Sequence, residues 1–256
     1  MSKAILFIHG AWVTPACWDR FSSYFEARGY ACRAPAWPYL DRPMEELKRA
    51  IDPAFADLTI GALVDFYARK VLACPEPPIL IGHSFGGLIV QLLLDRGLGK
   101  AGVAIDPAPP RGIRPSWRAI QSSRAPLLSW RGWSRLHTMS LEDFRETFAN
   151  GLPAEDLQRA YETQIVQAPG RIFFQAALGL GNSVDFTNPK RGPLVLISGE
   201  QDRTVTPDMV QAMYLRHKQT PRPVALLKFP GRSHFLIGEP GWEDVAQGAL
   251  GWLRSF

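Results

Sequence analysis

The five residues Gly82-His83-Ser84-Phe85-Gly86 restrict the fold of this 256-residue chain more than any other stretch. They follow an apolar run at residues 78–81 and precede an apolar stretch at residues 88–94. The first run has the length of a strand buried on both faces, and the second is apolar around most of a helix. Glycines around a serine in this setting are typical of a sharp strand-to-helix turn with strained backbone angles. The stretch therefore places Ser84 at the carboxyl end of a buried strand.

The rest of the chain alternates between apolar runs and segments with helical periodicity. Further strands are predicted at Ala4–Ile8, residues 30–34, Ala101–Ile105, residues 193–198 and residues 223–229. Start and stop signals predict helices at residues 15–28, 44–50 and 59–72, after Ser84, and at Pro207–His217 and Trp242–Leu253. This alternation favours an α/β fold, with a mostly parallel six-stranded sheet covered by helices on both faces.

The alternation stops at residues 107–192, which we name the cap. Prolines and glycines crowd its first nine residues, and helices are predicted around residues 141–149 and 154–166. We therefore predict that the cap is a helical insertion between two strands. Residues 1–106 and 193–256 are predicted to form the core.

Composition and charge exclude several kinds of partner. The net charge is +5, but no run of five or more basic residues occurs, which argues against nucleic-acid binding. The apolar N-terminal run is too short for a signal peptide, and no stretch of ~18 apolar residues is present, so we expect a cytoplasmic protein without a membrane partner. Cys17, Cys32 and Cys74 lack metal-binding spacing, so neither a metal nor another cofactor is expected. The oligomeric state stays open.

Side chains suited to nucleophilic catalysis follow three of the predicted strands. Ser84, Asp202 and His234 occur in this order in the chain. Because ligands bind parallel sheets at the carboxyl ends of the strands, we expect these side chains to lie on one rim. A serine hydroxyl is a weak nucleophile, so it needs a base to take its proton and an acid to orient that base. His234 is the candidate base and Asp202 the candidate acid.

Two further features of this site are predicted from the sequence. The backbone N–H groups of Ala11 and Phe85 are candidates for the two donors that stabilise an oxyanion. Asp106 also ends a predicted strand and is a rival for the role of the acid. Asp202 is preferred because it ends a G-x-x-D loop that starts at Gly199. The histidines that compete with His234 for the role of the base are His9, His83, His137 and His217.

Four motifs resemble those of the α/β-hydrolase superfamily. They are His9-Gly10-Ala11-Trp12, Gly82-His83-Ser84-Phe85-Gly86-Gly87, the stretch from Gly199 to Pro207, and Gly231-Arg232-Ser233-His234-Phe235. The chain resembles in particular capped, esterase-like members such as plant methylesterases, hydroxynitrile lyases and bacterial carboxylesterases. The resemblance implies Ser84 as nucleophile, Asp202 as acid, His234 as base, and the N–H groups of Ala11 and Phe85 as oxyanion hole. The family's first antiparallel strand pair has no room before Ala4, which implies a sheet shortened to six strands.

The resulting prediction is a cofactor-independent serine hydrolase of the carboxylesterase type that acts on a small-molecule ester. Relatives of similar fold that act as haloalkane dehalogenases or epoxide hydrolases use an aspartate nucleophile. Hydroxynitrile lyases resemble a pattern with a lysine directly after the catalytic histidine, where this chain has Phe235. A thioesterase, a carbon–carbon bond hydrolase, and a ligand-binding receptor with a vestigial triad remain alternatives.

The cap is predicted to provide part of the substrate pocket, because ligand sites are largely apolar and the cap is rich in aromatic residues. The candidate pocket residues are Trp12, Trp117, Trp130 and Trp133. Basic residues outnumber acidic ones in the cap, which is compatible with an anionic substrate such as an acyl-coenzyme A. Dispersed arginines are, however, typical of a solvated surface. We therefore expect neutral esters to be preferred over anionic thioesters.

Overall fold

The computed structural model describes residues 3–122 and 124–255. The ends of the predicted core, residues 1–2 and 256, lie outside this description. In chain order the strands are β1 (Ala4–Ile8), β2 (Ala31–Arg33), β3 (Ile79–His83), β4 (Ala101–Ile105), β5 (Leu136–His137), β6 (Ala168–Pro169), β7 (Leu194–Gly199) and β8 (Val224–Phe229). In the described part of the chain, six of them form a parallel sheet in the order β2-β1-β3-β4-β7-β8. The predicted fold class and number of strands in the sheet are confirmed.

The inner strands of this sheet are buried on both faces. Every residue of β3, β4 and β7 is buried, and their central positions are aligned in register, with Ile81 opposite Val103 and Val103 opposite Val195. Continuous apolar runs without alternation are what such doubly covered parallel strands require. The edge strands β2 and β8 are less buried. The loops that follow the carboxyl ends of the inner strands therefore start from a rigid, closely packed sheet.

Helices cover both faces of the sheet and fill the cap. They are α1 (Asp19–Glu26), α2 (Met44–Arg49), α3 (Ile60–Leu72), α4 (Phe85–Asp95), α5 (Trp117–Ser122), α6 (Arg124–Leu128), α7 (Leu141–Asp143), α8 (Ala154–Gln164), α9 (Gly170–Leu178), α10 (Pro207–His217) and α11 (Trp242–Leu253). Short 3-10 turns lie at Pro15–Trp18, Pro53–Asp57 and Gly132–Ser134, and a π turn at Phe144–Phe148.

Local chemistry explains where several of these helices begin. The Oγ1 of Thr59 accepts a hydrogen bond from the N–H of Ala62 at 3.0 Å, so Thr59 caps the start of α3. The predicted helix at residues 15–28 begins as a 3-10 turn with Pro15 in its first position, and becomes α-helical at Asp19. None of the described helices is long and apolar enough to cross a membrane.

The cap contacts the carboxyl end of the sheet through the turn after β1. The Nε1 of Trp12 donates a hydrogen bond to the carbonyl oxygen of His137 at 3.1 Å, and the N–H of Val166 donates to the carbonyl oxygen of Trp12 at 2.8 Å. The Phe148 ring packs edge-on against His234, with ring centroids 4.8 Å apart. Residues from three parts of the cap therefore lie over the predicted site. The exact limits of the cap remain a prediction.

Candidate active site

Ser84 lies in the turn between β3 and α4 with strained backbone angles, φ 55° and ψ −121°. Two residues before and two residues after Ser84, at Gly82 and Gly86, there is no space for a side chain. A Cβ atom on Gly82 would lie 2.2 Å from the carbonyl oxygen of Gly86, and one on Gly86 would lie 2.0 Å from that of Ile8. The N–H of Ser84 donates to the carbonyl oxygen of Ile105 at 3.0 Å, which holds the turn against β4. The surrounding sheet thus maintains the unfavourable conformation of the serine.

The candidate acid and base are in direct contact. The Nδ1 of His234 lies 2.6 Å from Oδ2 of Asp202, and both side chains are fully buried. The other oxygen of Asp202 accepts hydrogen bonds from the N–H groups of Thr204, at 2.6 Å, and Val205, at 2.8 Å. A carboxylate held in this way fixes the imidazole with its proton on Nδ1. Among the described residues, Nε2 of His234 has no hydrogen-bond partner, so it is free to accept a proton.

A second histidine links this pair to the serine turn. His83, which precedes Ser84, donates from Nε2 to the carbonyl oxygen of His234 at 2.7 Å, and the two rings lie 4.7 Å apart. Burial, reinforced by the neighbouring His234, lowers the pKa of His83 well below its ordinary value. His83 is therefore neutral and acts as a support for the loop that carries His234.

His9 supports the turn on the other side of the serine. Its Nε2 accepts a hydrogen bond from the N–H of Trp37 at 3.1 Å, so Nδ1 carries the proton and donates to the carbonyl oxygen of Gly10 at 2.9 Å. Burial lowers the pKa of His9 to about 4. The remaining rivals lie in other surroundings: His137 bonds to Gly132 in the cap, and His217 bonds to Gln91 below the sheet. Among the described histidines, only His234 contacts a carboxylate.

The two candidate oxyanion donors flank Ser84. A Cβ atom on Gly10 would lie 2.9 Å from Cβ of Ser84, so the turn that carries Ala11 is packed against the serine. Phe85 is the first residue of α4, where a backbone N–H has no partner within the helix. No described residue accepts a hydrogen bond from the N–H of Ala11 or Phe85. Both groups are therefore available to a bound ligand, and their role remains a prediction.

Asp106, the rival acid, lies beside the acid–base pair. Each of Asp106, Asp202 and His234 has a polar atom within 4.8 Å of the others. The Oδ1 of Asp106 accepts a hydrogen bond from the N–H of Gly199 at 2.9 Å, while Oδ2 has no partner among the described residues. Burial, followed by the charge of Asp202, raises the pKa of Asp106 well above its ordinary value. Among the described residues, the imidazole of His234 is hydrogen-bonded to Asp202 and not to Asp106, so the geometry favours Asp202 as the acid.

The same three residues have donor atoms close enough to hold a metal ion. Both oxygens of Asp202 already accept hydrogen bonds, and the imidazole Nδ1 is part of one of them. The raised pKa of Asp106 also makes it a weaker ligand, because metals bind the deprotonated form. The arrangement therefore fits a hydrogen-bonded acid–base pair better than a set of metal ligands.

A cavity of about 280 Å³ borders Ser84. Most of its walls are apolar, and its polar side chains are Ser84, Arg111 and Thr204. Phe173 of α9 forms part of the wall, and its ring centroid lies 4.5 Å from that of Trp12 and 5.2 Å from that of Phe85. Trp12 therefore lines the cavity, and its role in binding a substrate stays a prediction. Further apolar lining residues include Ile113, Leu127, Ala176 and Met209.

The predicted pocket role of Trp117, Trp130 and Trp133 is wrong. None of the three lines the cavity, and their exposed fractions are 76%, 81% and 49%. The buried residue Ala119 lines the cavity from α5, so Trp117, two positions earlier, points to the other side of the helix. Trp133 instead packs edge-on against Phe174, with centroids 6.1 Å apart.

The sequence analysis did not assign Phe173 and Ala176 of α9 to the pocket. Their signal was present, since they are separated by three positions and therefore share one helical face. The large ring of Phe173 forms part of the cavity wall, and the small side chain of Ala176, one turn later, leaves space in the cavity. Thr204 was also missed as a lining residue, although it lies in the recognised loop that begins at Gly199.

A parallel sheet that carries a strained serine and a buried histidine–carboxylate pair at its carboxyl edge has the architecture of a hydrolase. The chain belongs to the alpha/beta hydrolase family, whose model matches residues 5–247, and it is an enzyme of that family. No curated protein matches its sequence.

Solved structures confirm the fold. The monoacylglycerol lipase of Paleococcus ferrophilus has a TM-score of 0.70 at 16% identity, covering 98% of this chain and 94% of the lipase. A methylesterase from Arabidopsis has a TM-score of 0.70 at 16% identity, covering 99% of both chains. The pyrethroid hydrolase PytH has a TM-score of 0.67 at 20% identity, covering 99% of this chain and 98% of the hydrolase. At these identities the likeness concerns the fold alone.

Proposed function

We propose that the protein is a cofactor-independent serine hydrolase that cleaves neutral carboxylic esters. The observation that carries the proposal is the buried His234–Asp202 hydrogen bond, which leaves Nε2 of His234 free, together with the strained Ser84 on the wall of an apolar cavity. Such a base serves a nucleophile that must lose a proton as it attacks.

In the proposed reaction, Oγ of Ser84 attacks the carbonyl carbon of the ester while His234 takes the hydroxyl proton. The N–H groups of Ala11 and Phe85 stabilise the oxyanion of the tetrahedral intermediate. The alcohol then leaves with the proton from His234, and an acyl-enzyme remains on Ser84. Water, activated by His234, attacks the acyl-enzyme and releases the acid, which restores the serine hydroxyl.

The preference for neutral esters is supported by the walls of the cavity. Arg111 is the charged residue among the described lining side chains, and it lies exposed at the edge of the cavity. A carboxylate or phosphate inside an otherwise apolar cavity would lose hydration without a partner. Proteins of similar fold bear the names of a lipase, a methylesterase and a pyrethroid hydrolase, which supports hydrolysis as the reaction class.

The test compares kcat/KM for neutral nitrophenyl esters of increasing acyl length with kcat/KM for matched acyl-coenzyme A thioesters, at low and high salt. We expect higher values for the esters at both salt concentrations. Ser84→Ala is expected to lower kcat by about a million-fold without changing the melting temperature. A thioester preference that weakens with salt would replace the proposal with a thioesterase, in which Arg111 attracts the anion. Tight ester binding without turnover would identify a receptor.

A further inference from the structure

Large apolar side chains that remain exposed are concentrated in the cap. Within residues 3–122 and 124–255, seven of the ten such residues belong to it: Trp117, Ile120, Leu128, Trp130, Trp133, Leu178 and Leu180. Leu128 reaches an exposed fraction of 83%. Isolated exposed apolar residues are common, whereas a concentration of this kind marks an interaction surface.

Several of these side chains lie in the wall of the cavity or next to residues that line it. Ile120 and Leu178 are exposed and also line the cavity. Trp117 lies three residues before Ile120, so the two side chains are neighbours on α5, with Trp117 on the side away from the buried Ala119. Leu128 directly follows Leu127, which lines the cavity from α6. We name the exposed residues of 111–122 and 124–135, together with Leu178 and Leu180, the cap face. A surface that docks on this face therefore lies next to the cavity that borders Ser84.

The cap face is strongly basic. Residues 111–135 contain six arginines and no aspartate or glutamate. All six arginines are exposed: Arg111, Arg114, Arg118, Arg124, Arg131 and Arg135. Arg124 forms an ion pair with Asp143 at 3.4 Å, and the other five make no ion pair with a described residue. The cap face thus combines unpaired positive charge with exposed indole and aliphatic side chains.

This combination identifies the kind of partner. Tryptophan is favoured at the level of lipid headgroups, aliphatic side chains enter the acyl boundary, and arginines pair with anionic headgroups. A second copy of the chain is a poor partner, because symmetric docking would bring twelve arginines of like charge together, six from each copy. Nucleic acid is also a poorer partner, because its phosphate backbone offers no apolar contact for the exposed Ile120, Leu128 and Leu178. The sequence led us to expect no membrane partner, but that expectation rested on the lack of a membrane-spanning segment and does not concern surface binding. We propose that the cap face docks on the surface of an anionic lipid bilayer, with the cavity entrance toward the lipid.

Docking on a bilayer is a property separate from ester hydrolysis, so it is tested with protein that lacks the serine nucleophile. Ser84→Ala protein is mixed with vesicles of phosphatidylcholine alone or of phosphatidylcholine and phosphatidylglycerol, and bound protein is measured by flotation. We expect binding to the anionic vesicles only, weakening at high salt, with a blue shift of tryptophan fluorescence. No binding to the anionic vesicles, or equal binding to both kinds of vesicle, would overturn the proposal.

Two variants in the Ser84→Ala background locate the surface. Leu128→Ser, on the cap face, is compared with Leu72→Ser, which removes an exposed apolar side chain outside the cap. We expect the cap variant to lose at least about tenfold in vesicle affinity and the control to lose less than about twofold. Equal losses would overturn the proposal. Self-association that only the cap variant abolishes, measured by ultracentrifugation in the absence of vesicles, would identify a second copy as the partner instead.

The contribution of the arginines to vesicle binding is tested with two double variants that change the net charge of the protein by the same amount. Arg114→Glu with Arg118→Glu reverses two charges on the cap face, and Arg49→Glu with Arg69→Glu reverses two exposed arginines elsewhere. We expect at least about a tenfold loss of vesicle affinity for the first pair and little change for the second. Equal losses from both pairs would show attraction by net charge alone and would contradict a defined docking face.

Discussion

The rim of the sheet and the cap face border the same cavity but are built in opposite ways. At the rim, Ser84, Asp202 and His234 are buried, and the carboxylate and imidazole are hydrogen-bonded. On the cap face, side chains such as Trp130 lie in solvent, and five of its six arginines form no ion pair with a described residue. The difference separates two tasks. Bond cleavage requires groups held in one geometry by a rigid base, whereas recognition of a large partner requires exposed side chains.

The largest effect expected from a change of either carboxylate sharpens the assignment at the rim. Asp202→Asn should lower kcat by on the order of ten-thousand-fold, because the amide no longer selects the imidazole tautomer with its proton on Nδ1. Asp106→Asn should lower kcat by less than about tenfold, because asparagine resembles the protonated acid and can still accept the hydrogen bond from Gly199. Steady-state kinetics with one neutral ester measures both. The reverse ranking would make Asp106 the acid.

The difference between the buried rim and the exposed cap face also explains which parts of the site could be predicted from the sequence. Gly82 and Gly86 are required by backbone contacts of 2.2 and 2.0 Å, so a short motif encodes the serine turn, and strand-end loops brought Asp202 and His234 together on the rim as expected. Burial beside Asp202 decides the protonation of Asp106, and no local pattern encodes that contact. The direction of Trp117 depends on the phase of a six-residue helix, which is too short to show a hydrophobic period.

A smaller effect separates the cavity wall from the cap face. Ala176→Leu fills space in the cavity, so kcat/KM for long-chain esters should fall by about 10- to 100-fold, while acetyl esters change little. Trp130→Ala is the matched control, because this exposed indole does not line the cavity. For water-soluble esters, kcat/KM of the Trp130→Ala variant should stay within about twofold of the wild-type value. A strong loss in the control would mean that the cap face contributes to the pocket.

The smallest effect concerns the stability of the rim. The raised pKa of Asp106 means that the folded protein retains a proton that the unfolded chain releases near pH 3.9, so this group stabilises the fold less as pH rises. Asp106→Asn removes this titration and tolerates the positive φ of 40° at that position. Its melting temperature should exceed that of the wild type by about 2–4 °C near pH 8, and by less near pH 5. A difference that shrinks as pH rises would show that Asp106 is ionised in the folded protein.

The central claim, that Ser84 is the nucleophile activated by His234, is tested most directly by covalent labelling with a fluorophosphonate. Intact mass should show one added group, peptide mapping should place it on Ser84, and Ser84→Ala should remain unlabelled. His234→Ala should slow labelling by several powers of ten while the melting temperature shows that the protein stays folded. Attachment to another residue, or labelling at the wild-type rate without His234, would contradict the account.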